Sequence, residues 1–119
     1  MGLEYLSADD INQILDLAKS FKEGVAKLSP SDNLLRGKRV INLFMEPSTR
    51  TRIAFEIATK SLGADVISIM GEASSLTKGE TLHDTAMNVQ ALGAHAIILR
   101  HSSPGSPLLL SQMVQVPII

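Results

Sequence analysis

The sequence predicts an α/β fold, a parallel sheet with helices on both faces that form three layers (α/β/α). Short, continuous apolar segments at residues 40–44, 66–69 and 96–99 alternate with longer segments of helical periodicity. Strands that are apolar on both sides are typical of parallel sheets, because crossover helices cover both of their faces. Ligands of such folds bind at the carboxyl ends of the strands, so a site is expected in the loops that follow these segments.

The first two helices are predicted from apolar spacing and from signals at their ends. Ser7 is a favourable N-cap for a helix that runs to about Lys22, with apolar residues at helical spacing: Ile11, Ile14, Leu15, Ala18 and Phe21. A second helix begins near Ser48 and ends at Gly63. Its apolar residues make one helical face: Ile53, Ala54, Ile57, Ala58 and Leu62.

The remaining elements continue the alternation. A third helix is expected over residues 81–92, ending at Gly93, and a fourth over residues 106–115, with Pro107 tolerated in its first turn. A fourth strand is expected to begin at Val116. Because the sequence stops inside this apolar strand, residues 1–119 are expected to be one truncated domain.

Composition excludes several classes of protein. A hydrophobic fraction of 45% and a charged fraction of 19% are those of a globular domain. A net charge of −1 disfavours nucleic-acid binding, and no apolar run approaches the roughly 20 residues of a membrane span. There is no cysteine, and the N-terminus does not resemble a secretory signal. We therefore expect a soluble, cytoplasmic protein that binds neither membranes nor nucleic acids.

Residues 44–52, FMEPSTRTR, are the strongest functional signal. They lie where the first strand ends and the second helix begins, so Ser48, Thr49, Arg50 and Thr51 fall in a first helical turn. Backbone N–H groups have no intrahelical partner there, and the helix dipole is positive. Together with hydroxyl and guanidinium donors they predict a phosphate site, with Arg50 as the direct contact. The alternative is a capped surface helix with solvated arginines.

Four further charged residues are candidates near this site. Arg52 lies about 200° around the helix from Arg50, so a structural role or a subunit contact is expected. Glu46 is expected to hold an arginine in place, although a solvated carboxylate is an alternative. Arg100 follows the third strand and provides a second guanidinium. Lys78, in a small polar loop, could close over an anion or simply be a surface lysine.

The histidines give weaker signals. His101 follows Arg100, but a lone histidine is more often structural, and His83 and His95 lack partners at metal-ligand spacing. No metal and no cofactor is therefore predicted. The sequence also lacks the glycine-rich motifs of dinucleotide and P-loop nucleotide sites.

Three motifs in order resemble the aspartate and ornithine carbamoyltransferase family. FMEPSTRTR at residues 44–52 is similar to the family's carbamoyl-phosphate signature, and LRH at residues 99–101 to its strand-end arginine. SSLTKGET at residues 74–81 is similar to the loop of the aspartate branch. The resemblance spans nearly the whole chain. Family members are much longer, with a second domain that binds the amino acid, which is expected to be absent here.

The resemblance implies carbamoyl transfer from carbamoyl phosphate to L-aspartate, or to ornithine or a related acceptor. It implies that Ser48, Thr49, Arg50 and Thr51 bind the phosphate and that Arg100 contacts both phosphate and carbonyl. It also implies a homotrimer in which Ser75 (or Ser74) and Lys78 enter a neighbour's site. Regulatory or other pyrimidine-pathway subunits are further partners that fit the family. A non-catalytic anion-binding module is the remaining alternative.

Overall fold

The computed structural model describes residues 5–24, 33–71 and 81–119. Within them, helix α1 (Ala8–Gly24) precedes strand β1 (Arg39–Phe44), helix α2 (Thr49–Ser61) and strand β2 (Asp65–Met70). Helix α3 (Leu82–Ala91), strand β3 (Ala96–Arg100) and helix α4 (Ser106–Ser111) follow. The predicted alternation of strand and helix is confirmed.

The three strands form one parallel sheet in the order β2-β1-β3. Val40 of β1 pairs with Val66 on one side and with Ala96 on the other, and Phe44 pairs with Met70 and Arg100. The carboxyl ends of all three strands therefore lie at one edge of the sheet, as predicted.

Two separate clusters of buried apolar residues cover the two faces of the sheet, which makes the fold three-layered. One face packs against α3 and α4, and its largest fully buried side chains are Leu43, Ile97 and Leu110. The other face packs Val40, Phe44 and Ile98 against Phe55 of α2. Successive β1 residues point to opposite faces, so both sides of this central strand are buried.

The predicted ends of the first three helices agree closely with the structure. Ser7 and Asp10 form reciprocal side chain–backbone hydrogen bonds of 3.1 and 2.9 Å at the start of α1. Thr81 and Asp84 form the same capping box at the start of α3. Gly63 and Gly93 follow α2 and α3 with φ of 82° and 85°, a left-handed conformation that favours glycine.

The last two predicted elements are shorter than expected. Helix α4 ends at Ser111 instead of Gln115, because the bonds from Gln112 and Met113 to Leu109 and Leu110 tighten its final turn. This geometry buries both Leu110 and Val114. Instead of a fourth strand, Ile118 makes a single parallel bridge to Ile97. Pro117 has no N–H to donate to a longer ladder.

Two helices expose apolar side chains that their sequence pattern groups on one face. On α2, Ile53 and Ile57 are 41% and 60% exposed, whereas Phe55, Glu56 and Thr59 turn toward the sheet. On α1, Ile14 and Leu15 are also exposed. None of the helices in the described ranges has the length and apolar character needed to cross a bilayer.

Candidate anion-binding site

The carboxyl edge of the sheet positions the start of α2 beside the end of β3. The backbone N–H of Met45, which follows β1, donates to the carbonyl of Arg100 at 2.8 Å. On the other side, the N–H of Gly71 donates to the carbonyl of Phe44 at 2.9 Å. These bonds fix where the chain leaves β1, and residues 45–48 then lead into the first turn of α2.

The first turn of α2 groups several hydrogen-bond donors. Ser48 is its N-cap, and its side chain makes no capping hydrogen bond, so the hydroxyl is not consumed within the helix. Thr49 and Arg50 are exposed, and Thr51 is half-buried. No acidic residue lies in this turn. Hydroxyl groups, backbone N–H groups and a guanidinium thus share the positive end of a helix, the combination that binds phosphate.

Arg100 crosses from the end of β3 to this turn. Its Nε atom donates to the Glu46 carboxylate in an ion pair, and its Nη1 atom lies 3.4 Å from the hydroxyl oxygen of Thr51. The structure therefore brings Arg100 to the residues predicted as the phosphate site. It also identifies the arginine that Glu46 holds, which the sequence could not specify.

Arg52 forms an ion pair within its own helix, which fits the structural role that was one of its two predicted roles. Its Nη1 atom pairs with Oε2 of Glu56 at 3.1 Å, one turn along α2. Glu56 also accepts from Lys60 at 3.1 Å and from the Ser68 hydroxyl at 3.3 Å. The hydrogen bond from the Lys60 ammonium is the main cause of a lowered pKa at Glu56, with Ser68 and Arg52 contributing. Arg52 thus has a structural role within the domain.

Two predicted site residues, Ser75 and Lys78, lie outside the described residues. The Thr81 hydroxyl caps α3 by accepting from the N–H of Asp84 at 3.1 Å. Asp84 in turn accepts from the Thr81 hydroxyl at 2.8 Å, and this bond is the main cause of its lowered pKa. Thr81 and Asp84 are thus explained as a helix start.

His101 takes part in a local network that its sequence did not reveal. Its Nδ1 atom accepts from the N–H of Ser103 at 2.9 Å and lies 3.1 Å from the hydroxyl of Ser106. The sequence indicates this network only through the serines at positions 103 and 106, since serine side chains commonly form hydrogen bonds with nearby loop groups. Across residues 5–24, 33–71 and 81–119, no cluster of three or more histidine, aspartate or glutamate side chains could hold a metal.

Comparison with known proteins identifies the family of the chain. The family model described as "Aspartate/ornithine carbamoyltransferase, carbamoyl-P binding domain" matches residues 1–119. The aspartate carbamoyltransferase catalytic subunit of Opitutus terrae is 54% identical over 119 residues, which are 100% of this chain and 38% of that protein. The corresponding subunit of Desulfotalea psychrophila is 52% identical over 118 residues, 99% of this chain and 37% of its own length.

Solved structures give the same result. The catalytic subunit of M. jannaschii aspartate transcarbamoylase superimposes with a TM-score of 0.89 at 40% identity, over 100% of this chain and 39% of that one. The Trypanosoma cruzi enzyme in complex with carbamoyl phosphate and aspartate gives 0.86 at 31% identity, over 99% and 36%. The chain spans less than two fifths of the curated relatives described above. It belongs to the aspartate/ornithine carbamoyltransferase family and corresponds to its carbamoyl-P binding domain.

Proposed function

We propose that residues 1–119 provide the carbamoyl-phosphate half of the active site of an aspartate carbamoyltransferase. The proposed reaction transfers the carbamoyl group to L-aspartate, giving N-carbamoyl-L-aspartate and phosphate, an early step of de novo pyrimidine biosynthesis. The observation that carries the proposal is the placement of Arg100 against Thr51, in the helical turn that also holds Arg50. In this proposal, two guanidinium groups and a helix N-terminus bind the same anion.

In the proposed site, Ser48, Thr49, Arg50 and Thr51 bind the phosphate of carbamoyl phosphate. Hydroxyls and backbone N–H groups donate to its oxygens, and the Arg50 guanidinium can donate two parallel bonds. All of these donors belong to one helical turn, which the sheet holds at the end of β1. Binding therefore requires little rearrangement of the backbone.

Arg100 is the residue proposed to act on the reacting group. The aspartate α-amine attacks the carbonyl carbon, a tetrahedral oxyanion forms, and phosphate then leaves with the electrons of the broken C–O bond. Arg100 contacts both the carbonyl oxygen and the phosphate, where negative charge grows. A donor already oriented toward these oxygens stabilises the transition state without reorganisation, which is a large catalytic effect. Arg50, Thr51, Arg100 and Lys78 are the proposed catalytic residues.

Glu46 orients Arg100 from the side away from Thr51. Its carboxylate pairs with the Nε atom of Arg100, while the Nη1 edge is turned toward the α2 turn. A guanidinium held at one edge loses fewer degrees of freedom when its other edge binds an anion. We propose that Glu46 positions Arg100 and does not itself contact phosphate.

The acceptor half of the site is proposed to come from residues outside 1–119. We also propose a cytoplasmic homotrimer with shared sites, in which Ser75 and Lys78 reach a neighbour's Arg50. In support, α2 carries the proposed anion-binding turn (residues 48–51) at one end and exposes Ile53 and Ile57 along its outer face. Apolar residues grouped on an outer helix face are typical of surfaces covered by another part of an assembly.

An assay of the complete natural polypeptide tests the reaction. With carbamoyl phosphate as donor, we expect N-carbamoyl-L-aspartate to form with aspartate and no citrulline to form with ornithine. Product from ornithine alone would assign the chain to the other branch of the family. Binding of carbamoyl phosphate without transfer to either acceptor would favour a non-catalytic anion-binding module.

Mixed oligomers test the shared site. Arg50→Ala and Lys78→Ala variants of the complete polypeptide are each expected to be inactive. When the two are unfolded together and reassembled, some sites combine an intact Arg50 with an intact Lys78 from a neighbour, so activity should return. Each variant reassembled alone is the control. Mixed oligomers that stay inactive would place Lys78 in its own subunit's site or outside any site.

A further inference from the structure

The loop that follows Arg100 is held by one imidazole. His101 is half-buried, and its Nδ1 atom accepts from the backbone N–H of Ser103 at 2.9 Å. The Ser106 hydroxyl lies 3.1 Å from the same nitrogen and 2.9 Å from the carbonyl oxygen of Ser103. Ser106 is buried at the start of α4. The imidazole thus joins the end of β3 to the first residue of the next helix.

These contacts identify the ring nitrogen that accepts. A backbone N–H is only a donor, so Nδ1 must carry a lone pair, and the proton of the neutral ring is on Nε2. The Ser106 hydroxyl can donate to Nδ1 or to the Ser103 carbonyl without changing this requirement. A proton on Nδ1 would leave the Ser103 N–H without this acceptor.

We propose that His101 is a positioning residue for Arg100, a role that rests on the function proposed above. The Arg100 carbonyl accepts from Met45 at 2.8 Å, which holds the backbone on its strand side. On its loop side the same residue continues into His101, whose ring is anchored to Ser103 and Ser106. Arg100 is therefore fixed from both directions, and its guanidinium stays directed at Thr51.

The two ring nitrogens have different roles in this geometry, and substitutions of His101 can test them separately. In His101→Asn the side-chain oxygen can occupy the place of Nδ1 and accept from Ser103. In His101→Gln the amide reaches the place of Nε2 instead, and in His101→Ala both positions are lost. Affinities for inorganic phosphate and carbamoyl phosphate are measured calorimetrically in the complete natural polypeptide, together with KM and kcat. Thermal melting checks that each variant folds.

His95 provides a matched control at the opposite end of β3. Its Nδ1 atom also accepts from a backbone N–H, that of Arg39, at 3.1 Å. His95→Ala therefore removes a histidine–backbone hydrogen bond of the same kind, away from the carboxyl edge. It is expected to lower the melting temperature without changing phosphate affinity.

We expect His101→Asn to bind both ligands like the native protein. His101→Ala and His101→Gln should bind roughly three- to tenfold more weakly, the equivalent of one net hydrogen bond. The KM for carbamoyl phosphate should rise more than kcat falls. Native affinity in His101→Ala would overturn the proposal, as would rescue by Gln and not by Asn, or an equal loss of affinity in His95→Ala.

A nitrogen NMR spectrum of the histidine-labelled native protein separates this proposal from the function on which it rests. The expected spectrum has an unprotonated Nδ1 at His101 whether or not the protein binds carbamoyl phosphate. Absence of carbamoyl-phosphate binding by the native protein would refute the proposed function alone. A proton on Nδ1 in a protein that binds the ligand normally would refute the role of His101 alone.

Discussion

The two faces of the sheet differ in chemistry. The face covered by α3 and α4 is a continuous apolar cluster built on Ile41, Leu43, Ile97, Leu99 and Leu110. The face covered by α2 has a smaller apolar cluster and also buries Asn42 and Thr59. There Asn42 contacts the Ser68 hydroxyl at 3.4 Å, and Ser68 donates to Glu56. Polar contacts thus run from the central strand β1 to α2, the helix that carries the anion-binding turn.

The difference suggests that one face mainly stabilises the domain and the other mainly orients the functional helix. Apolar burial contributes about 25 cal/mol per Å², and the apolar cluster on the α3–α4 face is the larger of the two. A polar face costs free energy wherever a buried group is unpaired, and Oδ1 of Asn42 has no partner among the described residues. We infer that the α2 face contributes less stability and orients α2 by directional bonds.

The largest effect is expected on the apolar face. Leu43→Ala removes a side chain that is 0% exposed and should lower the free energy of unfolding by about 2–5 kcal/mol. Urea unfolding of the complete polypeptide measures this change. Leu108→Ala is the control, since Leu108 on α4 is 54% exposed and its truncation should cost far less. Equal losses in the two variants would contradict the assignment of the core.

A smaller, pH-dependent effect is expected on the polar face. The pKa of Glu56 is lowered in the folded protein, chiefly by the hydrogen bond from Lys60. The unfolded chain therefore takes up the proton first, so the stabilisation is fully present above the ordinary glutamate pKa of about 4.3. It is lost as the pH falls through the lower pKa of the folded state.

Glu56→Gln tests this linkage because the amide does not titrate. Melting temperatures at pH 7 and pH 3 should differ less for this variant than for the native protein. Asp10 and Asp84 also have lowered pKa values. Both residues are present in the native protein and in the variant, so their effects on the pH dependence cancel when the two proteins are compared. The same pH dependence in both proteins would show that Glu56 makes no such contribution.

The sequence predicted the elements that depend on local signals. Capping residues and glycines marked the helix ends, and continuous apolar runs marked the parallel strands. The contact between Thr51 and Arg100 followed from topology, because parallel strands bring their carboxyl ends to one edge. The exposed faces of α1 and α2 could not be predicted, because apolar spacing shows which residues share a face and not what covers it. The contact between His101 and Ser103 depends on loop geometry, which residue types alone do not specify.

The measurement that tests the central claim most directly is the affinity of Arg50→Ala for carbamoyl phosphate. Isothermal titration of the complete polypeptide should show a loss of about 1.5–3 kcal/mol or more, which is roughly 10- to 150-fold in Kd. Arg36→Ala, an exposed arginine that precedes β1 at the amino edge of the sheet, should bind like the native protein. Unchanged affinity in Arg50→Ala, or an equal loss in Arg36→Ala, would contradict the assignment of the anion site to the first turn of α2.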